Sequence, residues 1–253
     1  MLNRQSIRSS LKTAFMGAGI GLMANLTALA QVAPLHVGSE QSLYDEFGQM
    51  LLGTDPGSAS FGLPVVEGDL VQIIQVLPTV TGTTNVYTLY PPATNGLPSH
   101  SNNIVVAFTR IGHAVDPALG PVGRFGCSIP GLNRGGGEVR MAARVFNAPS
   151  LEEASFYTDS DLYNVPVYGA SAYGVFVPRF NSHATTTMLD ETDGDGDGLS
   201  RSWEISYGSD PEQPDTDGDG MLDGHEIRAG TSATNDTSLL KVVRLMAPGK
   251  EGL

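Results

Sequence analysis

The sequence predicts a mainly β protein in which a sandwich-like antiparallel domain precedes an acidic loop repeat. Gly (31 residues) and Pro (16 residues) are frequent, and only 16% of residues are charged. Several short β-branched runs are separated by turn residues without helical periodicity. The formal net charge is −13, and residues 190–226 hold thirteen acidic residues against one basic residue. Such a chain has no electrostatic reason to bind nucleic acid or an anionic membrane surface.

Residues 1–30 have the pattern of a secretory signal peptide. Arg4, Arg8 and Lys12 precede an acid-free apolar run over 14–29, and the small residues Ala28 and Ala30, two apart, suit cleavage. A retained membrane anchor is the alternative, but the run contains three glycines and is shorter than the roughly 20 apolar residues that a span needs. We therefore expect a secreted protein, extracellular or at the cell surface, with no membrane span in the mature chain.

Residues 31–188 are predicted to form the β-rich, sandwich-like domain. The strongest strand signal is 69–77, which is rich in β-branched residues and is bounded by Gly68 and Pro78. Further strands are predicted at 86–90, 104–108, 139–145 and 175–177, and the alternation at 139–145 is typical of a half-buried strand. One short helix is expected after Ser150, because Glu153 can complete a capping box.

The β-rich region contains no recognisable catalytic constellation. It has no Gly-x-Ser-x-Gly nucleophile turn and no His-Glu-x-x-His zinc motif. Cys127, the single cysteine, can form no internal disulfide, and a small buried thiol is favoured over a nucleophile. Tyr163, Tyr168 and Tyr173 could line a sugar-binding surface, but packing explains them more simply. We predict that the protein is not an enzyme. The alternative is a secreted carbohydrate-active protein or hydrolase with its site in this region.

Residues 189–236 contain two copies of one twelve-residue pattern. Carboxylates occupy the first, third, fifth and twelfth places of 193–204, and 215–226 repeats this pattern 22 residues later. The segments 193–208 and 215–230 are identical at eight of sixteen positions. A solvated acidic linker is the alternative interpretation, but a linker of arbitrary sequence would not place its final Glu identically twice. The pattern therefore predicts two ligand-binding loops.

Alternating carboxylates on a tightly turning loop can direct several oxygens to one point. The glycine after the third Asp permits the turn, the next residue offers its backbone carbonyl, and the final Glu closes the shell with two oxygens. This all-oxygen set favours Ca²⁺ over Zn²⁺ and Cu²⁺, and Mg²⁺ seldom receives such carboxylate-rich sites. The predicted calcium ligands are Asp193, Asp195, Asp197, Leu199 and Glu204 in the first loop and Asp215, Asp217, Asp219, Met221, Asp223 and Glu226 in the second.

The two loops differ at the ninth place. Arg201 stands there in the first loop and Asp223 in the second. A guanidinium cannot coordinate a cation, so we expect the first site to be the weaker.

The second loop reads Asp-x-Asp-Gly-Asp-Gly-x-x-Asp-Gly-x-Glu, and Gly-Ser-Asp-Pro at 208–211 leads into it. This pattern, over about residues 190–236, resembles the type-3 thrombospondin repeat of secreted and surface proteins. The first loop departs from it at Arg201 and Ser202. An EF-hand pair fits less well, because ten residues containing Pro211 and Pro214 leave no room for two ordinary helices. The resemblance implies a calcium-wrapped segment with little core that acts as a stalk, spacer or adhesive surface.

The final segment, 237–253, is predicted to contain a strand at 239–246 that could pair back onto the first domain. Together these features predict a secreted calcium-binding protein with a structural, adhesion or interaction role. Calcium would order its acidic repeat, and an extracellular protein or a glycan is its candidate partner.

Overall fold

Short β-branched segments between turns form most of the regular structure. The computed structural model describes residues 35–51, 68–112, 123–129, 139–165 and 174–239. The strands in these ranges are β1 (Leu35–Gly38), β2 (Leu70–Val76), β3 (Thr79–Thr81), β4 (Thr84–Val86), β5 (Asn103–Arg110), β6 (Gly126–Ile129), β7 (Val139–Phe146), β8 (Phe156–Asp159), β9 (Tyr163–Val165), β10 (Gly174–Phe176) and β11 (Thr187–Met188). The helices are α1 (Arg201–Tyr207) and α2 (Asp223–Ala229). The predicted mainly β class is confirmed.

The strands form two main sheets and one hairpin. The large sheet has the order β11-β8-β7-β2-β5, with β9 also paired to β7. The small sheet has the order β10-β1-β6, and β3 pairs with β4. Pairing between the named strands is antiparallel except between β1 and β10, which run parallel.

The two main sheets share one hydrophobic core. Leu35 and Val37 of β1 lie in the same buried cluster as Ile73 of β2 and Met141 and Val145 of β7. Two sheets that bury their inner faces against each other form a sandwich-like arrangement, which agrees with the prediction. The acidic segment follows β11 directly.

The strand predicted at 86–90 is wrong for most of its length. Strand β4 ends at Val86, and the following residues are irregular. The side chain of Asn103 accepts the backbone N–H of Tyr90 at 2.7 Å and donates to the carbonyl of Thr88 at 2.9 Å. These backbone groups are thereby bonded outside a strand ladder. The strands predicted at 69–77, 104–108 and 139–145 correspond to β2, β5 and β7, and the one at 175–177 overlaps β10.

The half-buried character predicted for 139–145 is also wrong. In β7 every residue except Arg140 is buried, because both faces of this central strand are covered. Arg144 is 1% exposed. Its Nε and Nη2 donate to the two carboxylate oxygens of Asp159 at 2.6 and 2.7 Å, and Nη2 also donates to the carbonyl of Tyr90 at 2.9 Å. This bidentate pair explains how an arginine is tolerated in the interior.

The helix predicted after Ser150 is a turn. Ser150 Oγ accepts the N–H of Glu153 at 3.3 Å, as a capping residue would. The chain nevertheless enters β8 at Phe156, and Asn147 Oδ1 accepts the N–H groups of both Ser155 and Phe156 at 3.0 Å. Because these amides bond to a side chain, the turn is not extended into a helix.

Several predictions fall outside the described residues. They are the signal peptide over 1–30, the positions Tyr168 and Tyr173, and most of the strand over 239–246. Leu239, the one residue of that strand that is described, is 53% exposed and is not in a strand. Among the described helices, none has the length and hydropathy needed to cross a membrane.

Candidate metal centre

The first aspartate of each loop folds the backbone around itself. Asp193 Oδ1 accepts the N–H of Gly196 at 2.8 Å, and Oδ2 accepts that of Gly198 at 3.1 Å. Both glycines have positive φ, 83° and 92°, which side-chain-bearing residues rarely adopt. Asp215 makes the equivalent two bonds in the second loop at 2.8 and 2.9 Å. The glycines of the motif therefore serve the turn that brings the carboxylates together.

The third aspartate of each loop fixes the residue two places on. Asp197 Oδ1 accepts the N–H of Leu199 at 2.7 Å, and Asp219 Oδ1 accepts that of Met221 at 2.8 Å. Leu199 and Met221 thus lie at the same turn position of their loops. The two predicted carbonyl ligands occupy equivalent places.

The side-chain oxygens of the three alternating aspartates in each loop lie close together, as their spacing predicts. One oxygen from each of Asp193, Asp195 and Asp197 lies within 4.8 Å of the others, and the same holds for Asp215, Asp217 and Asp219. Oxygens that bind one Ca²⁺ at 2.3–2.6 Å are at most about 5 Å apart. Each set therefore has the dimensions of a calcium shell. Oδ2 atoms of Asp195, Asp217 and Asp219 are buried without a hydrogen-bond partner.

The two short helices bring a buried glutamate to each loop. Glu204 in α1 and Glu226 in α2 are each 0% exposed, and neither carboxylate has a hydrogen-bond partner on either oxygen. Burying an ionised carboxylate without a partner is strongly unfavourable. Burial, followed by the charges of Asp195 and Asp197, raises the pKa of Glu204 to about 7. Burial and then the neighbouring aspartates likewise raise the pKa of Glu226. Neither buried carboxylate therefore has a donor to offset its negative charge, and a bound cation would provide that compensation.

Asp223 bonds to Thr216 of the second loop and also lies close to carboxylates of the first. One of its oxygens is within 4.8 Å of oxygens of Asp197 and Glu204, although the sequence places Asp223 in the second loop. Asp197 is 3% exposed, and Glu204 and Asp223 are each 0% exposed. Arg201, the ninth residue of the first loop, points elsewhere. Its Nη1 lies 3.7 Å from Glu212 Oε1, and its side chain is 45% exposed.

Helix α1 also attaches the repeats to the β-sandwich. The Trp203 ring meets Phe156 of β8 edge-on, with centroids 4.7 Å apart, and lies 6.0 Å from Phe47. Ser206 Oγ donates to Glu46 Oε1 at 2.6 Å and contacts Ser155 Oγ at 2.9 Å. The helix that carries Glu204 is thus fixed to the sandwich by Trp203 and Ser206. Periodicity gives no signal for these contacts, since α1 has only seven residues.

The first loop also packs on α2. The N–H of Gly224 donates to Asp197 Oδ2 at 2.7 Å, and Arg228 Nη2 donates to the carbonyl of Gly198 at 2.8 Å. A Cβ atom on Gly224 would lie 2.6 Å from the Asp197 carbonyl oxygen, so only glycine fits this approach. The two repeats therefore form one interlocked unit.

Cys127 and Tyr163, the candidates of the β region that the structure describes, do not form an activated site. Burial raises the pKa of Cys127 to about 11, so its thiol stays protonated near neutral pH and is a poor nucleophile. Tyr163 stacks on Phe176 with ring centroids 5.4 Å apart, as packing predicts.

Comparison with known proteins identifies the acidic segment. Residues 193–214 and 215–231 each match the family model of the bacterial TSP3 repeat. TSP3 repeats bind calcium. No curated protein and no solved structure matches the chain. The segment over 193–231, with its two aspartate loops and two short helices, therefore matches two consecutive repeats of the bacterial TSP3 type, as the sequence predicts.

Proposed function

We propose that this is a secreted calcium-binding structural or adhesion protein, in which Ca²⁺ orders the paired repeats against the β-sandwich. The observation that carries the proposal is the burial of Glu204 and Glu226 with all four carboxylate oxygens unpartnered. An all-oxygen set of this kind suits a hard divalent cation that accepts six to eight ligands.

The repulsion within each loop supports a role for calcium in folding. Two like charges about 4 Å apart repel by roughly 1 kcal/mol in water and by more in a lower dielectric. Each loop holds at least three carboxylates at such separations. A bound cation converts this repulsion into attraction. Extracellular calcium modules commonly bind the ion at about 10⁻⁴–10⁻³ M, which suits a compartment where calcium is millimolar.

The attachment of the repeats to the sandwich supports a structural or adhesion role. Because α1 joins Glu204 to the aromatic contact with the sandwich, an ion in the first loop would fix the acidic segment at a defined orientation. A segment held in this way can act as a spacer or present a surface to an extracellular protein or a glycan. The basic and apolar pattern of residues 1–30 supports secretion.

The direct test replaces both buried glutamates. Glu204→Gln combined with Glu226→Gln removes one carboxylate from each loop at nearly constant shape, and calcium binding is measured by isothermal titration calorimetry. We expect the affinity of each site to fall at least about tenfold. The matched control is Glu152→Gln with Glu153→Gln, two exposed glutamates outside the loops, which should leave binding unchanged. A calcium affinity that the first double substitution leaves unchanged would refute the proposal.

A further inference from the structure

One cluster of buried carboxylates combines residues of both repeats. We propose that Asp223 is a ligand of the cation bound by the first repeat, so that the second repeat completes the first site. This inference rests on the proposed function, because it assumes that the loops bind Ca²⁺.

The geometry around Glu204 carries the inference. Oxygens of Asp197, Glu204 and Asp223 lie within 4.8 Å of one another, and all three side chains are buried. Both oxygens of Glu204 are unpartnered, so this carboxylate faces the other two without a donor. The point that the three carboxylates face is lined by acceptor oxygens, and the two oxygens of Glu204 have no donor, so a divalent cation with several oxygen ligands would satisfy them.

A structural role for Asp223 is the alternative. It accepts the N–H of Thr216 at 2.8 Å through Oδ1, and its Oδ2 accepts the Thr216 hydroxyl. A carboxylate offers about four lone-pair sites, so these two bonds leave capacity for a metal. Hydrogen bonding to Thr216 alone would not explain why Asp223 faces the unpartnered Glu204 of the other repeat.

The first site depends on the second repeat, but the second site does not depend on the first. Gly224 and Arg228 of the second repeat bond to the first loop at Asp197 and Gly198. The cluster of the second loop, Asp215, Asp217 and Asp219, comes entirely from its own repeat. The first site therefore requires the second repeat, whereas the second site has its aspartates in place without the first. With Asp223 the first site would have five carboxylates and the second four, which is opposite to the order of affinity expected from Arg201.

Two variants that each keep one calcium site show which site Asp223 serves. Asp215→Asn with Asp217→Asn leaves the first site, and Asp193→Asn with Asp195→Asn leaves the second. Asp223→Asn is then added to each protein, and calcium affinity is measured calorimetrically. We expect a loss of at least about tenfold in the first-site protein. In the second-site protein we expect the calcium affinity to fall less than about threefold, which is the effect of removing a nearby charge that is not a ligand. Asp236→Asn, at an exposed aspartate outside both loops, is the matched control.

Other patterns of loss overturn the inference. A loss that is equal in both proteins, larger in the second-site protein, or absent from both shows that Asp223 is not a ligand of the first site. If the first-site protein does not bind calcium, Trp203 decides the question in the intact protein, since it adjoins Glu204 and is the only tryptophan. Asp223→Asn should then shift the calcium midpoint of Trp203 emission, and an unchanged midpoint overturns the inference. Failure of the parent protein to bind calcium would instead refute the proposed function.

Discussion

Glu204 is the residue whose surroundings point most directly to a bound cation. Its carboxylate is fully buried, has no hydrogen-bond partner and faces aspartates from both repeats. Burial and these charges raise its pKa from 4.5 to about 7 in the ion-free protein. The folded state therefore retains a proton that the unfolded chain has already released, and this difference links both stability and calcium binding to pH.

The sign of the pH dependence follows from this shift. Because the folded pKa is raised, Glu204 makes the ion-free protein less stable as pH rises from 4.5 to about 7. Calcium must displace the proton, so calcium affinity at the first site should increase as pH rises through about 7. Calorimetric titrations above and below this pH measure the effect. Glu204→Gln should remove this step, and an affinity of the parent protein that does not change across this range would contradict the assignment.

The helices are too short to be stable alone. Isolated helices below about 12–15 residues are marginal in water, and α1 and α2 have seven residues each. Each ends at a glycine in the left-handed region, Gly208 with φ of 83° and Gly230 with φ of 77°. Their stability must come from packing against the loops and, for α1, against the sandwich, and we expect a bound cation to add to it.

Gly224 tests the packing of the first loop on α2. Alanine is ordinarily the better helix former by about 1 kcal/mol, but here its Cβ would lie 2.6 Å from the Asp197 carbonyl oxygen. Gly224→Ala should therefore destabilise the calcium-loaded protein by about 1–3 kcal/mol, as overpacking does. Chemical denaturation in excess calcium measures the change. His225→Ala, at the exposed neighbouring residue, is the control. A Gly224→Ala protein as stable as its parent would show that the two repeats are not interlocked at this point.

For the individual elements, the sequence predicts the geometry of the loops better than the limits of the strands. The Asp and Gly spacing predicts the convergence of Asp193, Asp195 and Asp197, because the turn is local and needs only neighbouring residues. Strand limits depend on distant partners. Asn103, for example, occupies the backbone groups that would have extended a strand to Tyr90. The position of Asp223 likewise depends on how two repeats pack, which no spacing within one repeat reveals.

At the scale of the whole molecule, the sandwich and the repeats belong together. The described residues of the strands and of the repeats belong to one compact unit by their contacts. Trp203 lies against Phe156 of the large sheet, and Ser206 bonds to Glu46. Since Glu204 lies in the same helix, calcium binding in the first loop should stabilise the attachment of the repeats as well as the loops themselves.

Thermal unfolding in excess Ca²⁺, in excess Mg²⁺ and in EGTA tests the central claim most directly. A ligand that binds only the folded state adds about 2.7 kcal/mol at a hundredfold excess over its dissociation constant. We expect the melting temperature to rise with Ca²⁺ and to rise much less with Mg²⁺. The transition should have the same midpoint in Trp203 emission and in the far-ultraviolet circular dichroism of the strands. An unchanged melting temperature in calcium, or an equal rise with Mg²⁺, would contradict the claim that calcium orders the repeats against the sandwich.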